Sequence, residues 1–230
     1  MATARTSNLA TRALLSLVLL AAVMGLLVFG LAGTIRYWQG WLYLAVFFTV
    51  SLLTTLDLMR RDPALLERRM RGGPTAETRP AQKLVMLGAS LGFIALLVIP
   101  ALDHRFQWST VSTAIVLIGD ALVVIGFYFI FRVYRENTFT SATIEIAENQ
   151  TVVSTGPYAI VRHPMYASAL LYVIGTPLAL GSWWGLMGVV VMLPFLIWRL
   201  FDEERMLVAN LAGYADYKAK VPFRLIPHVW

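Results

Sequence analysis

Long stretches without charged residues dominate this sequence. They are residues 13–35, 37–56, 84–102, 106–131, where Asp120 is the one charge, and 163–198. A helix needs about 20 apolar residues to cross the hydrocarbon core of a bilayer, so each of the first four stretches is long enough for one span. The chain is 58% hydrophobic and 14% charged, whereas a soluble domain carries about 25% charged residues. These features indicate an integral membrane protein.

The last uncharged stretch is too long for one span. It covers residues 163–198, and Gly175, Pro177, Gly181 and Gly185 interrupt it near the middle. We therefore predict two short helices that form a helical hairpin. The prediction for the whole chain is an all-α polytopic membrane protein, a single domain over 1–230 with about six transmembrane helices. Their expected positions are 13–35, 37–56, 84–102, 111–131, 166–181 and 185–201.

The basic residues predict the orientation. Of the 19 Lys and Arg residues, all but Arg36 and Arg105 lie in the N-terminal tail, the loop after the second span, the segment after the fourth span and the C-terminal segment. Loops rich in Lys and Arg stay in the cytosol. We therefore expect both termini and the active site in the cytosol, with the protein in the cell inner membrane. In this arrangement the positive charge suits membrane lipids, and we expect no nucleic-acid partner.

Two cytosolic segments, 132–165 and 199–230, carry most of the polar chemistry and are the expected catalytic segments. In the first, Gly156-Pro157 is a turn signal, and Pro164 suits the first turn of a helix. Arg162 and His163 should therefore lie at the mouth of the fifth span. An interfacial anchor of aromatic and basic residues is the alternative interpretation of this cluster.

The second polar cluster follows the sixth span and contains Arg199, Glu203 and Glu204. Arg199 and Glu203 are four residues apart and share a helix face. Because the last two spans should be antiparallel neighbours, this cluster should meet Arg162 and His163 at one depth. A solvated exit from the membrane remains the alternative. Asp120 is either a functional group at membrane depth or an acid that faces the bundle.

Read together, the two clusters resemble the isoprenylcysteine carboxyl methyltransferase family of membrane methyltransferases. The pattern is Gly156-x-Tyr158-x-x-x-Arg162-His163-Pro164-x-Tyr166, followed after the hairpin by Arg199-x-x-x-Glu203-Glu204. The resemblance begins near Asn137 and covers roughly the last 95 residues. The first four spans resemble the family only in being apolar.

The resemblance implies S-adenosyl-L-methionine as cofactor, bound in a cytosolic pocket. The residues implied in cofactor binding are Gln150, Thr151, Val152, Val153, Tyr158, Arg162, His163, Pro164, Met165, Tyr166, Glu203 and Glu204, with Thr143 as a weaker candidate. Arg199 would face the methyl acceptor, and Arg199, Glu203 and Glu204 are the expected catalytic residues. The sequence departs from the family at Gln150, where a histidine is usual. No metal is expected, because three dispersed histidines and no cysteine give no ligand spacing.

The family name implies carboxyl O-methylation of a lipophilic acceptor that enters from the bilayer. A prenylcysteine-like carboxylate, a small thiol and a lipid amine all remain open as acceptors. A membrane lipid or sterol reductase that uses NADPH is the competing enzyme hypothesis. A transporter or scaffold is the non-enzymatic one, although Asp120 is the single charge available to line a path across the bundle.

Overall fold

The computed structural model of the chain describes residues 2–72, 77, 79–144 and 146–230, and of residues 2–7 the backbone alone. The regular structure of this part of the chain is helical, which confirms the all-α prediction there. The α-helices are α1 (Ala2–Gly25), α2 (Trp38–Arg61), α3 (Pro63–Met70), α4 (Pro80–Phe106), α5 (Thr113–Glu136), α6 (Pro164–Ala179), α7 (Leu186–Asn210) and α8 (Tyr214–Lys220). A π-helical segment, Leu26–Gly30, continues α1, and a 3-10 turn, Gly156–Ala159, precedes α6.

Four of the helical stretches are long and apolar enough to cross a membrane, namely Asn8–Gly30, Trp38–Arg61, Pro80–Phe106 and Thr113–Glu136. They correspond to the first four expected spans and support an integral membrane protein. The expected ends of the second to fourth spans stop up to five residues short of the helix ends. Those expectations stopped at the first charged residue, whereas helical hydrogen bonding continues beyond it, as at Arg60 and Arg61 in the last turn of α2.

The last uncharged stretch divides into two helices, α6 and α7, as its Gly and Pro content predicts. With 16 residues, α6 is about 24 Å long at 1.5 Å per residue, which is shorter than the roughly 30 Å hydrocarbon core. The total of six spans and the crossing of this pair remain predictions. Unlike the expected helix 185–201, α7 continues to Asn210, so Glu203 and Glu204 lie inside a helix rather than at its end.

Glycines allow α5 and α6 to pack closely, which is typical of helix pairs in membranes. A Cβ atom on Gly119 would lie 2.2 Å from the backbone nitrogen of Ala179, and one on Gly175 would lie 2.6 Å from the carbonyl oxygen of Gly119. Helix α7 packs on α4, where Phe195 covers Gly88. Helices α6 and α7 are thus each packed against one of the long apolar helices.

Asp120 lies beside the close contact between α5 and α6. Asp120 is 6% exposed, so its side chain faces the bundle, in agreement with the second of the two interpretations given for it. Within the described ranges, neither carboxyl oxygen has a hydrogen-bond partner.

Candidate active site

A cavity of about 390 Å³ lies where α3 to α8 meet the segments between α5 and α6. Its volume is within the range of roughly 300–1,000 Å³ typical of ligand pockets. Every expected site residue except Glu204 lines it: Gln150, Thr151, Val152, Val153, Tyr158, Arg162, His163, Pro164, Met165, Tyr166, Arg199 and Glu203. Thr143 lines it as well. The structure thus brings together residues that are up to about 60 positions apart in the sequence.

The two polar clusters meet, as the hairpin prediction required. Nε of Arg162 lies 2.6 Å from Oε1 of Glu204, and both side chains are at most 4% exposed. Nη1 of Arg162 also donates to the carbonyl oxygens of Val221 and Pro222, each at 2.7 Å. The guanidinium of Arg162 is therefore held by structural partners, although the residue lines the cavity.

Glu204 lies behind the cavity wall, surrounded by basic side chains. Besides Arg162, its carboxylate is 3.5 Å from Nε2 of His163, 3.7 Å from Nζ of Lys218 and 3.3 Å from Nε of Arg224. Burial acts to raise the pKa of Glu204, but the contacts with His163 and Arg162 outweigh it and hold this pKa well below its usual range. The structure therefore gives Glu204 the position of a buried counter-ion, which differs from the expected contact with a cofactor.

Glu203, one residue earlier on α7, lines the cavity. The hydroxyl of Tyr166 donates a hydrogen bond to its carboxylate. Among the salt bridges of the described residues, none includes Glu203. Glu203 is thus an acid at the cavity surface that a ligand cation can approach.

Arg199 lines the same cavity one helical turn before Glu203. Its Nε donates to the hydroxyl of Tyr166 at 3.2 Å, and its Nη2 donates to the carbonyl oxygen of Ala142 at 2.8 Å. Nη1 lies 2.8 Å from Oε1 of Glu77, and the Arg199 side chain is 11% exposed. The sequence signals gave no indication of Glu77, because the contact joins residues 122 positions apart.

Tyrosines form much of the cavity wall. Tyr158 accepts a hydrogen bond from Nδ2 of Asn137 at 2.9 Å, and the hydroxyl of Tyr217 donates to the backbone carbonyl of Tyr158 at 2.8 Å. Burial raises the pKa of Tyr217 to about 12, so this phenol is neutral at physiological pH. Tyr214 also lines the cavity. Tyr214 and Tyr217 are three residues apart on α8 and so share a helix face, a pattern that the sequence analysis did not use.

Two cavity-lining residues carry buried hydroxyl oxygens without hydrogen-bond partners in the part of the chain that the structure describes. They are Thr140 and Tyr214. Buried polar groups are normally hydrogen-bonded. The cavity therefore offers polar positions that a ligand can satisfy.

Helices α4 and α5, which belong to the first four expected spans, also contribute to the cavity, which sequence reasoning missed. Met86 of α4 and Ile130 and Tyr134 of α5 line its apolar side, together with Tyr172 of α6. These residues lie on long apolar helices. One side of the cavity therefore suits a lipophilic group.

Gln150, at the position where the family usually has histidine, supports a turn. Its Oε1 accepts the backbone N–H of Ala147 at 2.9 Å, while the residue also lines the cavity.

Comparison with known proteins finds similarity to methyltransferases in the C-terminal half of the chain. Residues 114–212, from α5 to just past the end of α7, match the family model described as Phospholipid methyltransferase. The resemblance to a family of membrane methyltransferases is confirmed. Protein-S-isoprenylcysteine O-methyltransferases of Mus musculus and Rattus norvegicus are each 36% identical to this chain over 84 residues. That alignment covers 34% of this chain and 28% of each relative, so the similarity concerns little more than a quarter of the relatives' length.

Proposed function

We propose that this chain is a membrane methyltransferase that uses S-adenosyl-L-methionine and transfers a methyl group to a lipophilic acceptor. The observation that carries the proposal is Glu203, a cavity-lining acid without a salt bridge among the described residues, beside a wall of tyrosines. The match of residues 114–212 to a methyltransferase family supports it. The distribution of basic residues favours a cavity that opens to the cytosol from the cell inner membrane.

The chemistry of the cavity fits this cofactor. S-adenosylmethionine carries an ammonium, a sulfonium, a carboxylate and an adenine. Glu203 can accept the ammonium through charge-assisted hydrogen bonds. The faces of Tyr158 and Tyr214 suit the adenine or the sulfonium. The unpartnered hydroxyl groups of Thr140 and Tyr214 offer further positions for hydrogen bonds.

The start of α6 suits the carboxylate. The helix begins at Pro164, and its N-cap residue, His163, makes no capping hydrogen bond through its side chain. Backbone N–H groups in the first turn of a helix are without intrahelical partners and attract anions. Met165 and Tyr166, in this first turn, line the cavity.

The chain's part in the reaction is positioning. When bound, the cofactor supplies a methyl group on a sulfonium, open to direct displacement by an acceptor lone pair. Arg199 lines the same cavity as Glu203, Met86 and Ile130, so we expect it to face the head of an acceptor whose tail lies along the apolar residues. Holding the two reactants in line and excluding water accounts for catalysis without a covalent intermediate. A carboxylate acceptor, as the name of the curated relatives suggests, fits Arg199.

Titration calorimetry of the purified protein with S-adenosylmethionine and with NADPH tests the cofactor. We expect S-adenosylmethionine to bind and NADPH not to bind. The reverse result would favour a reductase, and binding of neither would favour a non-enzymatic role.

The reaction itself is tested by incubating membranes with methyl-labelled S-adenosylmethionine and identifying the labelled product. Membranes that contain Arg199→Ala protein at equal abundance are the control. Absence of extra label in lipid, small-molecule and protein fractions alike would contradict the proposal.

A further inference from the structure

Glu77 is the one acid that forms a salt bridge with Arg199 in the described part of the chain. It precedes α4 and lies outside residues 114–212, the region that matches the family. Its side chain is 2% exposed, and its Oε1 is 2.8 Å from Nη1 of Arg199. A buried carboxylate so far along the chain from Arg199 calls for an explanation that the family motif does not supply.

Glu77 holds Arg199 from the side away from the cavity. Neither Glu77 nor Gln82, whose Oε1 accepts from the same Nη1 at 3.2 Å, lines the cavity, whereas Tyr166 and Ala142 do. A guanidinium has five N–H donors, and four of them have acceptors in these contacts. Among the described residues, one N–H on Nη2 has no acceptor, and it can donate to a ligand in the cavity.

The charge of Glu77 matters for an acceptor carboxylate. In the transfer, a lone pair of a carboxylate oxygen forms the new C–O bond, the C–S bond breaks, and its electrons stay on sulfur as a neutral thioether. The acceptor therefore loses negative charge as it reacts. An arginine without a counter-ion would bind the charged acceptor more tightly than the transition state, and such binding slows the chemical step.

We propose that Glu77 is a positioning residue that orients Arg199 and neutralises its charge, an inference that rests on the proposed function. Arg199 can then direct a carboxylate acceptor without binding it too tightly. The remaining N–H of Arg199 then provides orientation through one hydrogen bond. The Arg199–Glu77 pair as a whole presents little net charge to the acceptor.

The test compares wild-type protein with Glu77→Gln in detergent micelles. Glutamine keeps an oxygen that accepts from Arg199 and removes the charge. The probes are a farnesyl-thioether carboxylic acid and its primary amide, which have nearly the same shape. Their dissociation constants are measured by titration, and kcat is measured with the acid and S-adenosylmethionine. The control is Glu67→Gln, which removes another carboxylate of the same region, one that pairs with Arg71 at 2.9 Å and does not line the cavity.

For Glu77→Gln we expect the acid to bind on the order of ten-fold more tightly and kcat to fall by a similar factor, because the charge of Arg199 would act on the acceptor carboxylate without the opposing charge of Glu77. The amide should bind within about two-fold of its wild-type affinity. Wild-type protein alone provides a second measurement, because it should bind the acid and the amide within about three-fold of each other. The Glu67→Gln control should resemble the wild type throughout.

Three results would overturn the inference. The first is an equal change for acid and amide in Glu77→Gln, the mark of a purely structural residue. The second is a wild-type preference for the acid above about ten-fold, the mark of an arginine without a neutralising partner. The third is failure of the wild type to methylate the acid although S-adenosylmethionine binds, which would leave the proposed function in place. Failure of S-adenosylmethionine itself to bind would instead contradict the proposed function.

Discussion

Glu203 and Glu204 are adjacent, yet the structure predicts opposite consequences when each is changed to glutamine. Glu204→Gln leaves Arg162, His163, Lys218 and Arg224 around a neutral amide. Removing one partner of a buried ion pair costs about 3–5 kcal/mol, because the remaining charge stays buried without compensation. The Arg162–Glu204 pair qualifies, since neither side chain is more than 4% exposed.

For a chain of this size, about 2–4 °C of melting temperature corresponds to each kcal/mol. We therefore expect Glu204→Gln to lower the apparent melting temperature by roughly 6–20 °C. The assay is tryptophan fluorescence during heating in detergent at one fixed scan rate, because unfolding of such proteins is often irreversible. Glu203→Gln should keep the wild-type melting temperature and instead weaken binding of S-adenosylmethionine by more than ten-fold, since a charge-assisted contact is lost.

The same pair predicts a pH dependence. The pKa of Glu204 lies well below its ordinary value of 4.5, so its contribution to stability is fully present above about pH 4.5. That contribution is lost as the pH falls toward the folded-state pKa. Wild-type protein should lose more melting temperature than Glu204→Gln when the buffer is lowered from pH 6 to about pH 3. Equal losses of melting temperature in Glu203→Gln and Glu204→Gln would contradict the roles assigned to these two acids. The same holds if Glu204→Gln and wild type lose equal melting temperature on acidification.

The other predictions concern turnover, packing and the tyrosine wall. Arg199→Ala should abolish methyl transfer while S-adenosylmethionine binding largely survives, as measured by turnover and calorimetry. Gly119→Ala should destabilise the protein by about 1–3 kcal/mol through overpacking, because the new Cβ would lie 2.2 Å from the backbone nitrogen of Ala179. Gly25→Ala is its control, with no atom within 4 Å of the added Cβ. Tyr158→Phe should keep most of the cofactor affinity and Tyr158→Ala should lose about ten-fold, since the ring face supplies most of the contact.

Each of these has an outcome that contradicts it. Equal loss of cofactor binding and turnover in Arg199→Ala would place the arginine in the cofactor site. A melting temperature of Gly119→Ala equal to that of Gly25→Ala would mean that α5 and α6 do not pack through glycine. Equal affinities of the two Tyr158 variants would exclude a stacking role.

Much of this arrangement follows from the sequence. The hairpin argument predicted that the clusters around Arg162 and Glu204 meet, because antiparallel neighbours return to the same depth. It did not separate Glu203 from Glu204. Adjacent residues on a helix point about 100° apart, and the rotation of α7 is set by its packing on α4, which periodicity alone does not reveal.

The partners that sequence reasoning missed are those contributed from far away. Glu77 and Met86 belong to the N-terminal half, where the apolar composition does not show which residues face the cavity. Their contribution depends on how α4 packs on α7. The sequence analysis also missed that the backbone of residues 221–224 holds Arg162 and His163. Every residue has a carbonyl group, so the sequence does not show which carbonyl groups accept hydrogen bonds.

That last segment has a consequence for how the protein is made. The backbone N–H groups of Arg162 and His163 donate to the carbonyl oxygens of Phe223 and Arg224, and Arg162 is further held by the carbonyls of Val221 and Pro222. During translation, the four long apolar stretches can enter the membrane before residue 224 leaves the ribosome. The start of α6 therefore acquires these partners only after residues 221–224 have been made, so a nascent chain has its long apolar helices before it has a finished cavity.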